Sequence, residues 1–158
     1  MNSENNMAVT KFGRYFEDFI IGEEILHEGS KTIFESDNNF FCLLTMNHHP
    51  VHINIDYAEQ KQHKQLLVVG TLVFSLIVGI TVPDISGKAI ANLEYEEIKH
   101  LTPVFINDTL YAKTKILAKR ESKSKIDRGI VHVETIGYNQ HKQNVISFKR
   151  KVLVPKNT

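Results

Sequence analysis

The sequence predicts an α+β domain in which an antiparallel sheet wraps around one buried helix, and three observations carry that expectation. Residues 71–80 contain Leu72, Phe74, Leu76, Ile77, Val78 and Ile80, too little polarity for a solvated face. A helix that is apolar nearly all round has to be covered by other elements. Residues 89–100, 109–120, 129–139 and 144–154 form four consecutive strand-like runs divided by turn signals. The first half reads differently, as one strand followed by helices, and that segregation is an α+β pattern.

Each element has a local reason. Residues 1–13 read as a flexible lead-in and residues 14–155 as the domain. Residues 25–34 read as the first strand, with Gly29 marking a bulge. Glu35-Ser36-Asp37 supplies N-cap chemistry for a helix running to about Leu44, since a Ser or Asp oxygen satisfies free N–H groups of the first turn. Phe40, Phe41, Phe74 and Leu76 are expected in the core, and Cys42 as a buried helix residue. Residues 45–53 are irregular and rich in histidine, with Pro50 holding a non-helical shape. A short polar helix is expected from Asn54 to about Lys64, and the apolar helix at 71–80 would span about 15 Å. In the last strand Ile146, Phe148, Val152 and Val154 share one face, while Ser147, Lys149 and Lys151 share the other. Residues 139–143 make the turn before it.

Composition bounds the function. The chain has 158 residues, 42% hydrophobic and 23% charged, which fits one soluble globular domain. Nineteen Lys and Arg against eighteen Asp and Glu leave a formal charge of +1, so no global field favours nucleic acid or a membrane surface. One cysteine excludes an internal disulfide and fits a reducing compartment. The longest apolar stretch, Leu66 to Val82, is interrupted by Gly70, Thr71, Ser75, Gly79 and Thr81, too mixed to span a bilayer. With a polar N-terminus lacking a signal region, the expected location is cytoplasmic.

The chemistry concentrates in Asn47-His48-His49-Pro50-Val51-His52. Imidazole titrates near working pH and can take a proton and return it, which marks His52 as a candidate base. A lone histidine is more often structural, and His48 reads as an exposed neighbour. His48, His49, His52 and Asp56 could converge on a metal ion, but Pro50 interrupts helical spacing, so no metal is expected.

Three motifs then carry a resemblance. Asn47 to Asp56, with Pro50 and His52 in place and Ala58 behind, is similar to the signature Asp-x-Asn-Pro-x-His-x-Asp. Val69-Gly70-Thr71-Leu72 resembles a His-Gly-Met-Leu helix entry, and Leu101 to Leu110 resembles Pro-Val-Phe-x-Gly-Asp. In this order, over about residues 13–155, they resemble the MaoC-like (R)-specific enoyl-CoA hydratases. Thr45-Met46-Asn47 and Gly137-Tyr138-Asn139-Gln140 look most like the mesaconyl-CoA hydratase (β-methylmalyl-CoA dehydratase) branch. Four positions depart from the general pattern: Asn47 replaces an aspartate, His49 an asparagine, Val69 a histidine and Asn107 a glycine.

The resemblance implies a single hot-dog fold, assembled as a homodimer or higher homo-oligomer. It implies reversible addition of water to an α,β-unsaturated acyl-CoA, branching or a carboxylate on the acyl group, and no cofactor beyond the coenzyme A of the substrate. His52 is then the base, Asn47 positions the water, and His49 pairs with a substrate carboxylate. Backbone N–H groups of Gly70 and Thr71 receive the developing enolate oxygen. Lys123, Lys125 and Arg128 are candidates for the coenzyme A phosphates, the alternative being a solvated hairpin. Two rivals remain open: a hot-dog acyl-CoA thioesterase, and a non-catalytic acyl-CoA-binding subunit that has lost its aspartate.

Overall fold

Strict alternation of side chains is what lays down the sheet. Along Arg128–Asn139 every second residue is buried, and Thr109–Glu121 and Asn144–Pro155 keep the same period over most of their length. The computed structural model describes residues 12–157. In it β1 is Glu24–Leu26, β2 Lys31–Thr32, α1 Glu35–Thr45, α2 Pro50–Ile53, α3 Ile55–Glu59 and α4 Gly70–Thr81. A π-helical turn, Val82–Ser86, leads to β3 (Ala91–His100), β4 (Thr109–Glu121), β5 (Arg128–Asn139) and β6 (Asn144–Pro155). The sheet is antiparallel throughout, in the order β1-β4-β5-β6-β3, with β2 also on β4. The four long strands lie within two residues of the runs read from the sequence.

The helix α4 sits against the inner face of this sheet. Val73, Ile77 and Thr81, four residues apart and so on one side of the helix, are its buried positions. Val73 and Ile77 pack with Leu110, Ala112, Ile146 and Phe148, each fully buried aliphatic side chain being worth about 1.5–3 kcal/mol. Gly137 makes the seat: a Cβ there would lie 2.7 Å from the Cδ1 and Cγ1 of Ile77. A second cluster, with Phe16, Phe19, Ile85, Val131 and Val152, closes the other end.

A polar chain runs through that end. Asp84 can only accept, so the Nδ1–H of His27 donates to it at 2.7 Å. The Nε2 of neutral His27 then accepts from Thr114 Oγ1 at 2.8 Å, and Thr114 lies 2.9 Å from Thr135 Oγ1. Burial pushes the His27 pKa below its ordinary value, against the opposing pull of Asp84.

Several sequence expectations change. The run at 25–34 is two short strands with a break at residues 27–30, so Gly29 does not bulge a continuous one. Pro50 opens a helical turn rather than preventing one, because N1 is the position where a missing N–H costs nothing. The polar helix after it ends at Glu59. The N-cap of α1 is Phe34, whose backbone N–H donates to the Asp37 carboxylate at 2.9 Å. Phe40, expected in the core, is 67% exposed and Leu43 and Leu44 stand beside it in solvent, whereas Cys42 is fully buried and its thiol pKa raised by desolvation. The helix α4 is not covered all round: Thr71, Ser75 and Gly79 face out. Residues 1–11 of the expected lead-in lie outside the described residues, and Gly13 is already part of the fold, donating its N–H to the Pro83 carbonyl at 2.7 Å.

Candidate active site

The turn that carries His52 is built by its neighbours. Met46 ends α1 in the left-handed conformation, at φ 62°, and turns the chain outward. The His49 ring then caps α2, its Nδ1 accepting from Val51 N–H at 3.2 Å. One turn of helix places His52 so that its Nδ1 meets the Leu67 carbonyl at 2.7 Å. A carbonyl oxygen only accepts, so Nδ1 carries the proton and Nε2 is left with its lone pair. The Leu67 N–H returns to the Val51 carbonyl at 3.1 Å, so the segment before α4 is tied to the turn twice.

A buried asparagine completes the frame. Asn38, 1% exposed, donates from Nδ2 to the His52 carbonyl at 3.0 Å and accepts on Oδ1 from Val69 N–H at 3.0 Å. Val69 is the N-cap of α4. One side chain therefore fixes the histidine turn relative to the start of the central helix. Nothing in the signature motif points to Asn38. Its signal is positional, four residues before Cys42 on the one buried stripe of α1.

His52 opens onto a cavity of about 290 Å³, whose lining includes Leu67, Val68, Gly70, Val73, His100 and Thr102. The Gly70 and Thr71 N–H groups begin α4 and have no carbonyl a turn earlier in the helix to bond. His100 was not singled out by the sequence, although it directly precedes the Leu101-Thr102-Pro103 motif. Its ring lies over Gly70: a Cβ there would sit 2.9 Å from its Cε1 and 3.0 Å from its Nε2. The glycine thus makes room for an imidazole at the helix N-terminus.

The structure brings His52 and Gly70 together and leaves other expected residues outside. Asn47 does not line the cavity; its Oδ1 closes a turn on His49 N–H at 3.4 Å. His49 is exposed, with Nδ1 committed to the cap, and Thr71 faces solvent on the helix surface. Lys123, Lys125 and Arg128 belong to the β4–β5 hairpin, at the far end of the β4–β5 ladder from the cavity. Twelve steps along β4 at about 3.3 Å put them on the order of 40 Å from its start near Val104. Arg128 is also engaged, with Nε and Nη2 on the Asp127 carboxylate at 2.7 and 3.0 Å. Asn107, standing where the resembling family has glycine, adopts φ 74°, a left-handed conformation asparagine tolerates. Among the described residues no three His, Cys, Asp or Glu side chains group to hold a metal, and no helix is long and apolar enough to cross a membrane.

An antiparallel sheet folded around one helix, with a histidine turn at that helix's N-terminus, defines a hot-dog protein of the MaoC-like kind. The chain belongs to the family described as mesaconyl-CoA hydratase, whose model matches residues 3–158. It is 35% identical over 147 residues to a mesaconyl-CoA hydratase of Cereibacter sphaeroides, covering 93% of this chain and 43% of that protein. It is 34% identical to a β-methylmalyl-CoA dehydratase of Chloroflexus aurantiacus, covering 94% of this chain and 42% of that one. A solved MaoC domain protein from Chloroflexus aurantiacus superposes with a TM-score of 0.90 at 33% identity, over 96% of this chain and 43% of the other. The chain thus spans less than half the length of these two curated relatives.

Proposed function

We propose that this chain catalyses the reversible addition of water to an α,β-unsaturated acyl-CoA thioester, with a branched or carboxylated acyl group of the mesaconyl type. The observation that carries the reading is the tautomer of His52. Its Nδ1–H is held by the Leu67 carbonyl, so Nε2 is the basic nitrogen at a largely apolar cavity.

In this mechanism Nε2 takes a proton from water as the water oxygen attacks the β carbon. The carbon–carbon π electrons move toward the thioester, and the negative charge gathers on its oxygen. The Gly70 N–H at the positive end of α4 stabilises that charge, one such donor being worth about 2.7–4 kcal/mol. The imidazolium then returns its proton to the α carbon, and the base is regenerated. No cofactor beyond the coenzyme A of the substrate is required, and a cytoplasmic location goes with such a substrate. Asn47 and His49 serve by shaping the turn that presents His52.

The working unit in this reading is a homodimer or a higher homo-oligomer. β3 is an edge strand whose Leu93, Tyr95 and Ile98 are 50%, 37% and 44% exposed, a surface that pairing would cover. Purified protein incubated with crotonyl- and mesaconyl-CoA tests the reaction. Loss of the enoyl-thioester absorbance without release of free thiol is expected; thiol release would make the protein a thioesterase, and binding without either change would make it a non-catalytic subunit.

A further inference from the structure

Two histidines line the cavity, and the reaction as derived uses one. We propose that His100 reads a carboxylate on the acyl group and sets the preference for a carboxylated enoyl thioester over a plain one. This rests on the hydratase reading above.

The lining chemistry leaves few readers. Among the described residues that line the cavity there is no Lys or Arg, and the polar side chains are His52, Thr102 and His100. A carboxylate brought into such an apolar space needs strong donors to replace its water. His52 cannot supply them, since Nδ1–H is held by Leu67 and Nε2 has to keep its lone pair for the attacking water. His49, the sequence's candidate for this role, is spent on the α2 cap and does not line the cavity. Among the described residues that leaves the His100 imidazole, with Thr102 as the other side-chain donor.

Position supports the same assignment. His100 ends β3, paired with Ile146 of β6, and its ring rests on Gly70 at the N-terminus of α4. The helix start is where the thioester oxygen is held. When the second carboxylate is carried on the β carbon, only the α carbon separates that carbon from the thioester carbonyl. Its reader therefore has to adjoin the oxyanion donor, and a ring packed on Gly70 does. The missing Cβ of Gly70 is what admits the ring.

The test measures kcat/KM for mesaconyl-CoA and crotonyl-CoA with wild type, His100→Phe and His100→Lys. Phenylalanine keeps a flat ring over Gly70 and removes the ring nitrogens; lysine supplies an N–H donor in their place. Wild type is expected to favour mesaconyl-CoA. His100→Phe is expected to lower kcat/KM for it by about 10–100-fold, the worth of one hydrogen bond to a charged group, and to leave crotonyl-CoA within about threefold. His100→Lys is expected to recover most of the preference. Equal losses on both substrates, or no loss on either, would overturn the proposal. Should His100→Phe lose its fold, His100→Ala read against the same crotonyl-CoA control decides between the same outcomes. A wild type that hydrates crotonyl-CoA and ignores mesaconyl-CoA overturns the role of His100 and leaves the hydratase reading standing. A wild type that hydrates neither overturns both.

Discussion

Truncating Asn38 to alanine cuts the side chain that joins the histidine turn to the central helix. Two hydrogen bonds are lost, from Nδ2 to the His52 carbonyl and from Val69 N–H to Oδ1. The two stranded groups differ in cost. Val69 is 2% exposed, so its N–H finds no water, and an unsatisfied buried donor costs about 1–3 kcal/mol. His52 is half-buried, so its carbonyl can rehydrate and loses only about 0.5–1.5 kcal/mol. The sum is about 1.5–4.5 kcal/mol, a large share of the roughly 5–15 kcal/mol that stabilises a domain. Activity is expected to fall further, since a catalytic group misplaced by about 1 Å costs roughly 10²-fold. Urea unfolding followed by far-UV circular dichroism gives the first quantity, and hydration rates in the absence of urea give the second. An Asn38→Ala protein within 0.5 kcal/mol of wild type (~0.5 being the usual spread of surface substitutions) and equal to it in kcat would refute the bridging role.

Two further perturbations address the scaffold. Gly137→Ala would place a Cβ 2.7 Å from Ile77 and 2.8 Å from Ile146, and such overpacking is expected to lower unfolding stability by about 1–3 kcal/mol in the same urea assay. His27 gives a pH dependence whose sign follows from burial: the folded chain resists protonating it more than the unfolded chain does. Its contribution is therefore complete above the ordinary histidine value of 6.5 and is lost as pH falls from there through the depressed folded value. Unfolding midpoints measured between neutral and mildly acidic pH should fall in that window for wild type and fall less for His27→Gln.

The sheet was legible because period-two alternation survives in sequence, and the helix α4 because its apolar run is unusual. The sequence did not single out Arg150, which lies between Phe148 and Val152 on the same face and is fully buried, its Nη2 donating to Thr81 Oγ1 at 2.7 Å. What the sequence hid depends on distant partners. Phe40 reads as core from its apolar neighbours, yet α1 packs through only one stripe, containing Asn38 and Cys42. Pro50 reads as a helix breaker unless it is recognised as the first residue of a turn. His49 and His52 look equivalent in the motif; only the Leu67 carbonyl and the Val51 N–H separate a ring facing the cavity from a ring capping a helix. Asn38 and His100 reach the site from α1 and β3, and no local spacing announces them.

His52 moves the proton in this mechanism, and kcat of His52→Ala on mesaconyl-CoA is the decisive readout. The variant gives up the Nδ1–H bond to Leu67, a stability cost of about 1 kcal/mol, so it is expected to remain folded. A loss of kcat of about 10²–10⁴-fold is expected. A folded His52→Ala protein that hydrates mesaconyl-CoA at the wild-type rate would contradict it.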